Sequence, residues 1–264
     1  MENTIFYFTG TGNSLQITKY IAANLQNCEM LSISKNINII KNMRLKGTVG
    51  FVFPVYYCGL PQIVREALTN INLDTVDYIF TVAAYGSTGG NGGCISMPRK
   101  ILSQKRKKLD ASFYIKTVDN FILWSWDIPS AKKHVVLHER AKEKASEIAG
   151  IINNKQKHSD KSIMEYIGPI VFRYNRFVKT VNTDDKSFYA TPDCAACGLC
   201  EKVCPTQNIK MNCDKPNWKS EKCQRCLSCL HLCPRKAIEY GEATKKKTRY
   251  KNPYISLDEF TNIH

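Results

Sequence analysis

The amino-acid sequence predicts an α/β fold, in which a doubly wound, five-stranded parallel sheet is followed by a small α+β domain. Three observations support this prediction. Strand-like runs alternate with helix-like segments, a loop of glycines and hydroxyls follows the first run, and eight cysteines recur at fixed spacings from Cys194 to Cys233. Such alternation is typical of a parallel sheet covered on both faces. The predicted division is a first domain at 1–152, a connecting segment at 153–188, a cysteine-rich domain at 189–240 and a C-terminal tail at 241–264.

Hydrophobic periodicity predicts the elements of the first domain in order. Short β-branched and aromatic runs that end at glycine or proline predict strands, whereas apolar residues three or four apart predict helices. The predicted strands are residues 4–8, 30–33, 47–54, 78–84 and 112–118. The predicted helices are residues 13–25, 61–68, 95–107 and 131–152, with a further helix at 163–178. We expect the tail, which contains KKKTRYK, to be a solvated strand or arm.

Bulk composition narrows the class of protein. Hydrophobic residues make up 43% of the 264 residues, which is enough for a buried core. No run of about 18 apolar residues predicts a membrane span. The start, MENTIFYF, lacks the features of a secretion signal, so we predict a cytoplasmic protein. In a reducing compartment clustered cysteines are more often metal ligands than disulfides; secretion with disulfides is the alternative.

The cysteines form a duplicated motif. Cys194, Cys197, Cys200 and Cys204 have the spacing C-x2-C-x2-C-x3-C-P, and the same pattern recurs 29 residues later. Three closely spaced cysteines wrap one iron–sulfur cluster, and the fourth, before proline, ligates the other cluster. We therefore predict two [4Fe–4S] clusters with crossed ligands. One ligand set is Cys194, Cys197, Cys200 and Cys233, and the other is Cys204, Cys223, Cys226 and Cys229. Zinc is the alternative, but zinc modules usually present two pairs of ligands.

The loop TGTGNS, at residues 9–14, predicts a phosphate site without a lysine. Gly10 and Gly12 permit positive φ, and hydroxyls, backbone N–H groups and the following helix N-terminus can hold an anion. A lysine is needed where phosphate is transferred, so its absence favours a phosphate that is bound and left intact. An ordinary strand-to-helix turn is the alternative. In doubly wound sheets ligands lie beyond the carboxyl ends of the strands, where two further loops, 54–61 and 84–93, also fall.

These motifs resemble two known families. Residues 190–240 resemble a bacterial two-cluster ferredoxin, and the first domain resembles a flavodoxin, whose phosphate loop TGTGNS matches. The whole chain resembles the flavodoxin–ferredoxin fusions called EFR-type ferrodoxins, found mainly in anaerobic microbes. The resemblance implies flavin mononucleotide (FMN) beside two low-potential clusters. The implied FMN-binding residues are Thr9, Gly10, Thr11, Gly12, Asn13, Ser14, Pro54, Val55, Tyr56, Tyr57, Ala84, Tyr85, Gly86 and Gly90.

Aromatic residues are the candidate walls for the flavin ring. Tyr56, Tyr57 and Tyr85 match the second and third flavin loops, although each tyrosine alternatively packs against the sheet edge. Trp124 and Trp126 are candidates for the roof of the site.

Other reactive residues are expected to be structural. Cys58 and Cys94 lie near the flavin loops, where packing is favoured over a redox role. His134 and His138 are one helical turn apart, and without an H-E-x-x-H motif we expect surface residues rather than metal ligands.

The formal net charge of +15 first suggests nucleic-acid binding. Two oxidised clusters and the FMN phosphate would lower the charge to about +9, so nucleic acid is not favoured as a partner. The basic runs at 105–108 and 245–247 are either solvated or dock an acidic redox partner.

The first functional hypothesis is an electron-transfer protein that passes electrons between two [4Fe–4S] clusters and FMN. The second is an FMN-dependent reductase of a small organic substrate, although no acid in the sequence stands out as its proton donor. The third is a metal-bearing nucleic-acid-binding or regulatory module. The redox partner is therefore a protein or a small-molecule electron acceptor, and an oxidoreductase is favoured.

Overall fold

The structure, a computed structural model, describes residues 2–87, 91–123, 127–162 and 168–263, with backbone only at 168–173 and 182–184. Within these residues the first domain contains a six-stranded sheet with the order β2-β1-β3-β4-β5-β6. The strands are β1 (Asn3–Tyr7), β2 (Cys28–Ser32), β3 (Gly47–Pro54), β4 (Val76–Tyr85), β5 (Ala111–Lys116) and β6 (His158–Ser159). The helices are α1 (Asn13–Ala22), α2 (Ile33–Asn36), α3 (Gln62–Asn70), α4 (Ser96–Gln104) and α5 (Ala131–Asn153).

The strand order defines the class of this domain. β1 pairs in parallel with both β2 and β3, and β4 and β5 continue the sheet in the same direction. The order 2-1-3-4-5 is the flavodoxin-like doubly wound arrangement, in which the chain changes direction between β1 and β3. The predicted fold is confirmed. The sixth strand was not predicted, since a two-residue strand has no periodicity to detect.

The side chains of β1 point alternately to the two faces of the sheet, which explains how both faces are filled. Ile5 points to the face covered by α1 and α5, where it packs with Leu15 and Ile148. Phe6 points to the opposite face, where α3 contributes Leu68. Because successive strand residues face opposite sides, the five-residue strand is buried along its whole length. The glycine loop is thereby fixed at the carboxyl edge of the sheet.

The cysteine-rich domain is small and contains antiparallel strands. β7 (Phe188–Ala190) pairs with β10 (Ile238–Tyr240), and β8 (Ile209–Asn212) forms a hairpin with β9 (Lys215–Trp218). Two four-residue helices, α7 (Leu199–Lys202) and α8 (Ser228–His231), lie at matching places in the two cysteine motifs.

The sequence duplication is also a duplication of backbone conformation. Three positions in each motif have positive φ, and the two copies match at a spacing of 29 residues. The matched pairs are Ala196 and Arg225 (52° and 48°), Gly198 and Leu227 (70° and 61°), and Gln207 and Lys236 (53° and 51°). Left-handed conformation is unfavourable for residues other than glycine, so the surrounding contacts must hold it. The chain thus turns in the same way between successive cysteines of each motif.

The connecting segment contains α6 (Gly168–Thr180) and a 3₁₀ turn (Val181–Ser187). The first residues of the predicted helix, 163–167, lie outside the described residues. α6 contacts the first domain, where the Tyr174 hydroxyl donates to the carbonyl of Leu60 at 2.9 Å.

The C-terminal tail differs from the expected solvated arm. It ends in α9 (Leu257–Asn262), which begins with a reciprocal capping box between Ser256 and Glu259. Tyr250, Asn252 and Phe260 are 2%, 0% and 0% exposed. Tyr250 belongs to the basic run KKKTRYK itself, so the burial of its ring and of residues after the run, rather than charge, determines where the tail lies.

Among the helices that the structure describes, none has the length and apolar character needed to cross a bilayer.

Two glycines provide a matched test of packing in the first domain. A Cβ at Gly50, in β3, would lie 2.0 Å from the ring of Phe80, whereas at Gly150, in α5, it would meet no atom within 4 Å. We expect Gly50→Ala to lower the free energy of unfolding by about 1–3 kcal/mol through overpacking. Gly150→Ala should instead raise it by up to about 1 kcal/mol, because alanine favours the helix. Urea unfolding followed by circular dichroism measures both, and equal losses would contradict the packing.

Candidate functional site

The structure brings the motif cysteines together across the two copies of the motif. Burial, and then the nearby thiols of Cys233, Cys194 and Cys197, raise the pKa of Cys200 to about 11. Cys233 therefore lies with the first three cysteines of the other motif. We call Cys194, Cys197, Cys200 and Cys233 the outer thiol group.

A second group forms in the same way. Burial, and then the nearby thiols of Cys226, Cys204 and Cys223, raise the pKa of Cys229 well above its ordinary value. One cavity is lined by all four of these residues. We call Cys204, Cys223, Cys226 and Cys229 the inner thiol group. The Cys200 thiol also acts on Cys229, so the outer and inner groups are neighbours.

The two groups differ in their exposure to solvent. Cys204 and Cys229 of the inner group are each 8% exposed, and they pack with Phe188 and Leu230. In the outer group Cys197 is exposed. The other two inner cysteines and the other three outer cysteines are of intermediate exposure, so the inner group is the more buried of the two.

Backbone donors point at the sulfur atoms. The N–H of Asn208 donates to Cys204 Sγ at 3.2 Å, and the N–H of Ala237 donates to Cys233 Sγ at 3.3 Å. Asn208 and Ala237 occupy matching positions in the two motifs. A hydrogen bond to the charged form favours a thiolate, and hydrogen bonds to ligand sulfurs tune iron–sulfur clusters.

The spacing of ligands differs between a single metal ion and an iron–sulfur cluster. In the described parts of the chain, no three or more His, Cys, Asp or Glu side chains converge on one ion. Four sulfurs 2.3 Å from one zinc ion would lie about 3.8 Å apart. A [4Fe–4S] cluster places each thiolate on a different iron, so its ligands are spread more widely. Two groups of four cysteines supply the number and kind of ligand that two [4Fe–4S] clusters would need.

The glycine loop, residues 9–14, is buried, and its hydroxyls retain protons to donate. Thr9 Oγ1 accepts from the N–H of Gly12 at 3.1 Å, and Thr11 Oγ1 accepts from Asn120 Nδ2. Ser14 is 1% exposed, and its Oγ has no hydrogen-bond partner among the described residues. Each of these three hydroxyls carries one proton besides its lone pairs. The hydroxyls of Thr9, Thr11 and Ser14 can therefore each donate to an anion. The chemistry of the loop fits a phosphate.

Gly10 is the point at which the cysteine-rich domain contacts the glycine loop. A Cβ at Gly10 would lie 2.6 Å from the carbonyl oxygen of Cys226 and 3.1 Å from the Tyr56 hydroxyl. Ser228 Oγ donates to the carbonyl of Gly10 at 2.7 Å. The inner thiol group, rather than the outer one, is therefore next to the predicted phosphate loop.

Asn13 is engaged within the protein. Its Nδ2 donates to the carbonyl of Val118 at 3.2 Å, and its Oδ1 accepts from the Tyr250 hydroxyl at 2.6 Å. The side-chain amide of Asn13, one of the implied FMN-binding residues, is thus committed to the segment after β5 and to the tail.

The second loop lies between the sheet and the cysteine-rich domain. Pro54 pairs with Ala84 in the sheet, and the N–H of Val55 donates to the carbonyl of Ala84 at 2.8 Å. Burial, and then the thiols of Cys226 and Cys223, raise the pKa of Tyr56 well above its ordinary value. Tyr56 therefore lies against the inner thiol group.

Tyr57 is enclosed on several sides. Its ring stacks on Phe177 at 4.4 Å and meets Phe121 edge-on at 5.5 Å. Arg225 Nη1 donates to the Tyr57 hydroxyl at 2.6 Å, and the guanidinium lies 5.3 Å from the ring centroid. Sequence reasoning missed Arg225, because nothing in a cysteine motif indicates which loop its intervening residues contact.

A carboxyl group that sequence reasoning also missed lies against the third loop. Tyr85 packs edge-on against Tyr114 at 6.1 Å. A Cβ at Gly86 would lie 2.5 Å from Cα of Asp119, in the segment after β5. Burial raises the pKa of Asp119 above its ordinary value. Three residues predicted from the sequence, Gly90, Trp124 and Trp126, lie outside the described residues.

The remaining reactive residues have structural surroundings. Cys94 is fully buried, as expected for a packing residue. His138, which was expected on the surface, is 4% exposed, and its Nε2 lies 3.3 Å from the Tyr250 hydroxyl. His231 is also buried, and burial lowers its pKa to about 4. Its neutral ring donates from Nε2 to the carbonyl of Asn120 and accepts at Nδ1 from the N–H of Tyr250.

The basic surface lies partly outside the predicted runs. Lys105 Nζ caps the end of α3 by donating to backbone carbonyls, including that of Thr69 at 2.8 Å, and Lys245 pairs with Glu242 at 2.7 Å. A surface cavity of about 420 Å³ at the start of α5 is lined by Lys116, Ser130, Lys132, Lys133, Val136, Leu137 and Arg140. We call this cavity the α5 groove; it combines four cationic side chains with apolar contacts.

The sequence matches no protein-family model and no curated protein. Similar solved structures include an NAD(P)H:quinone oxidoreductase from Methanothermobacter marburgensis (10% identity, TM-score 0.39, 56% of this chain and 96% of that one). Others are an FMN-dependent NADH-azoreductase from Bacillus anthracis (8%, 0.37, 57% and 98%) and rubredoxin oxygen:oxidoreductase from Desulfovibrio gigas (14%, 0.37, 58% and 36%). These values carry no conclusion about cofactor or reaction. The class of the first domain, a flavodoxin-like fold, rests on its strand order.

The hydrogen bond at Gly10 predicts a difference between two serines. Ser228→Ala leaves the buried carbonyl of Gly10 without this donor, so we expect the free energy of unfolding to fall by about 1–3 kcal/mol. Ser34→Ala is the control, because Ser34 Oγ is buried without a partner in the described chain, and its removal should change stability by less than about 0.5 kcal/mol. Urea unfolding compares them, and equal effects would show that the Gly10 contact contributes little.

Proposed function

We propose that this protein is an electron-transfer flavo-iron–sulfur protein, in which two [4Fe–4S] clusters exchange electrons with FMN. The observation that carries the proposal is the exchange of cysteines between the motifs. Cys233 lies with the outer thiol group and Cys204 with the inner one. This crossing is the ligand pattern of two-cluster ferredoxins.

The surroundings of the two thiol groups support two clusters that differ in their access to solvent. Apolar residues enclose the inner group, including Phe188, Ile209 and Leu230. Burial raises the pKa of its thiols and so disfavours the thiolate form that a cluster requires. Positive iron offsets this cost when the cluster is bound. The exposed outer group would meet the external redox partner.

The glycine loop is proposed to hold the FMN phosphate through the hydroxyls of Thr9, Thr11 and Ser14. FMN, when bound, supplies a carrier that can hold one or two electrons, whereas clusters carry single electrons. Cys226 and Ser228 contact Gly10, so the inner thiol group lies next to this loop. The order outer group, inner group, flavin loop therefore supports a redox path through the chain.

Arg225 is proposed to adjust this site electrostatically. The sequence suggested a cradle without a cation, but Arg225 reaches the Tyr57 hydroxyl in the second loop. It also lies between Cys223 and Cys226 in the chain. A cation near a bound cluster and the flavin would favour the more negative, reduced state of each.

A flavin-dependent reductase is the second candidate function, and Asp119 favours it. A reductase that adds hydride to an organic substrate also needs a proton donor. Asp119 contacts Gly86 of the third loop, and burial raises the pKa of its carboxyl group. If photoreduced protein is reoxidised by an organic acceptor faster than free FMN, and Asp119→Asn slows this step, the reductase is favoured.

Anaerobic purification tests the proposed cofactors directly. We expect about eight iron atoms, matching sulfide and one FMN per chain. A preparation with no iron would overturn the electron-transfer proposal, and one with iron but no flavin would overturn only its flavin part.

Replacement of single cysteines tests the crossed ligands. Cys204→Ala should damage the cluster held by Cys223, Cys226 and Cys229, because Cys204 belongs to the inner thiol group. Cys213→Ala is the control, since Cys213 is exposed and lies outside both motifs. Electron paramagnetic resonance of the reduced proteins should show one cluster lost in the first variant and both retained in the second. Selective loss of the outer cluster in Cys204→Ala would contradict the crossing.

A further inference from the structure

The buried end of the tail covers the glycine loop. We call residues 250–263 the C-terminal segment. Tyr250, Asn252, Ile255 and Phe260 are each no more than 2% exposed. Phe260 belongs to the same hydrophobic cluster as Leu15 of α1. The segment therefore lies over the start of α1, where the predicted phosphate would bind.

Asn252 makes three hydrogen bonds to the loop and the first turn of α1. Its N–H donates to the carbonyl of Thr11 at 3.1 Å. Its Nδ2 donates to Asn13 Oδ1 at 2.9 Å and to Gln16 Oε1 at 2.7 Å. The Tyr250 hydroxyl donates to the same oxygen of Asn13. The C-terminal segment is thus hydrogen-bonded to the loop at Thr11 and Asn13 and to α1 at Gln16.

The segment also contacts the loop at Gly12, whose φ of +100° favours glycine. A Cβ at Gly12 would lie 2.7 Å from Cβ of Asn252 and 2.9 Å from the ring of Phe260. Close approach of the C-terminal segment therefore requires glycine here, in addition to the backbone conformation.

The covered loop still has a donor without an acceptor. Ser14 Oγ is buried and has no hydrogen-bond partner among the described residues. A buried hydroxyl without a partner is unfavourable, so an acceptor at this position would complete the site. Thr9, Thr11 and Ser14 are each no more than 3% exposed, so solvent has little access to these hydroxyls. The loop therefore combines hydrogen-bond donors that suit a phosphate with low access from solvent.

We propose that the C-terminal segment is the closing wall of the phosphate site, which moves aside to admit the phosphate of FMN and then retains it. This inference rests on the proposed flavin site. The segment is anchored at both ends, by the buried Arg249–Glu239 ion pair at 2.8 Å and by the bond from Ser32 Oγ to the carbonyl of Ile263 at 2.6 Å. The part that must move lies between these two anchors and includes Asn252.

The test compares FMN with riboflavin, which has the same ring but no phosphate. Flavin-free full-length protein that retains its iron is mixed rapidly with each flavin, and flavin fluorescence is followed. In Asn252→Ala the closed state loses two side-chain hydrogen bonds, so association and dissociation of FMN should both accelerate about tenfold. The rates for riboflavin should stay unchanged, because the wall acts on the phosphate.

Two further variants keep the test decisive. Tyr250→Phe removes only a hydroxyl, and it should accelerate FMN exchange to a smaller extent without loss of the fold. Asn262→Ala, at an exposed position of α9, is the matched control and should exchange FMN as the wild type does. Melting temperatures of all variants separate loss of fold from loss of closure.

The outcomes distinguish this inference from the proposed function. If the wild type binds FMN, and Asn252→Ala and Tyr250→Phe both exchange it at wild-type rates, the closing wall is overturned while the flavin site stands. Flavin binding by Asn252→Ala but not by the wild type would support the closing wall. If neither protein binds flavin, the inference and the flavin part of the proposed function both fail.

Discussion

The rest of the site depends on the close contact between Gly10 and the second cysteine motif. The carbonyl oxygen of Cys226 comes so near Gly10 that no side chain fits there, and Ser228 donates to the carbonyl of Gly10. Two other residues of this motif extend the contact, because Gln224 accepts from the N–H of Ile63 and Arg225 donates to Tyr57. A short stretch around the inner thiol group is thereby fixed on three parts of the first domain. The separation between thiols and glycine loop is set by backbone contact rather than by a flexible linker.

The two copies of the cysteine motif share a backbone conformation but differ in what surrounds them. Both copies use the same left-handed turns, although most of these residues are not glycine. Such conformations persist only where the surroundings over-determine them, and bound clusters would supply that constraint. The copies then diverge in their surroundings. The copy that contacts Gly10 supplies three cysteines of the buried inner group, whereas the other supplies three of the more exposed outer group.

The glycine loop serves two kinds of contact at once. One side meets the second cysteine motif at Gly10, and the other meets the tail at Gly12. His231 connects these sides, because it contacts both Asn120 and Tyr250, and Asn120 donates to Thr11. A change at the inner thiol motif can therefore reach the loop hydroxyls through a short chain of buried hydrogen bonds. Such coupling is expected where a polar network is buried and each member has few alternative partners.

The sequence alone determined the doubly wound sheet, the loop after β1 and the spacing of the cysteines, because these follow from local periodicity and motif. It did not place His158–Ser159 in the sheet, since two residues carry no period. Nor did it identify Arg225, Asp119 or the buried tail, whose roles depend on contacts between residues far apart in the chain. Tertiary structure decided which thiol group lies beside the glycine loop and what covers that loop. The physical reason is that short-range patterns encode strands, helices and turns, whereas burial and hydrogen bonding between separate segments depend on how the whole chain packs.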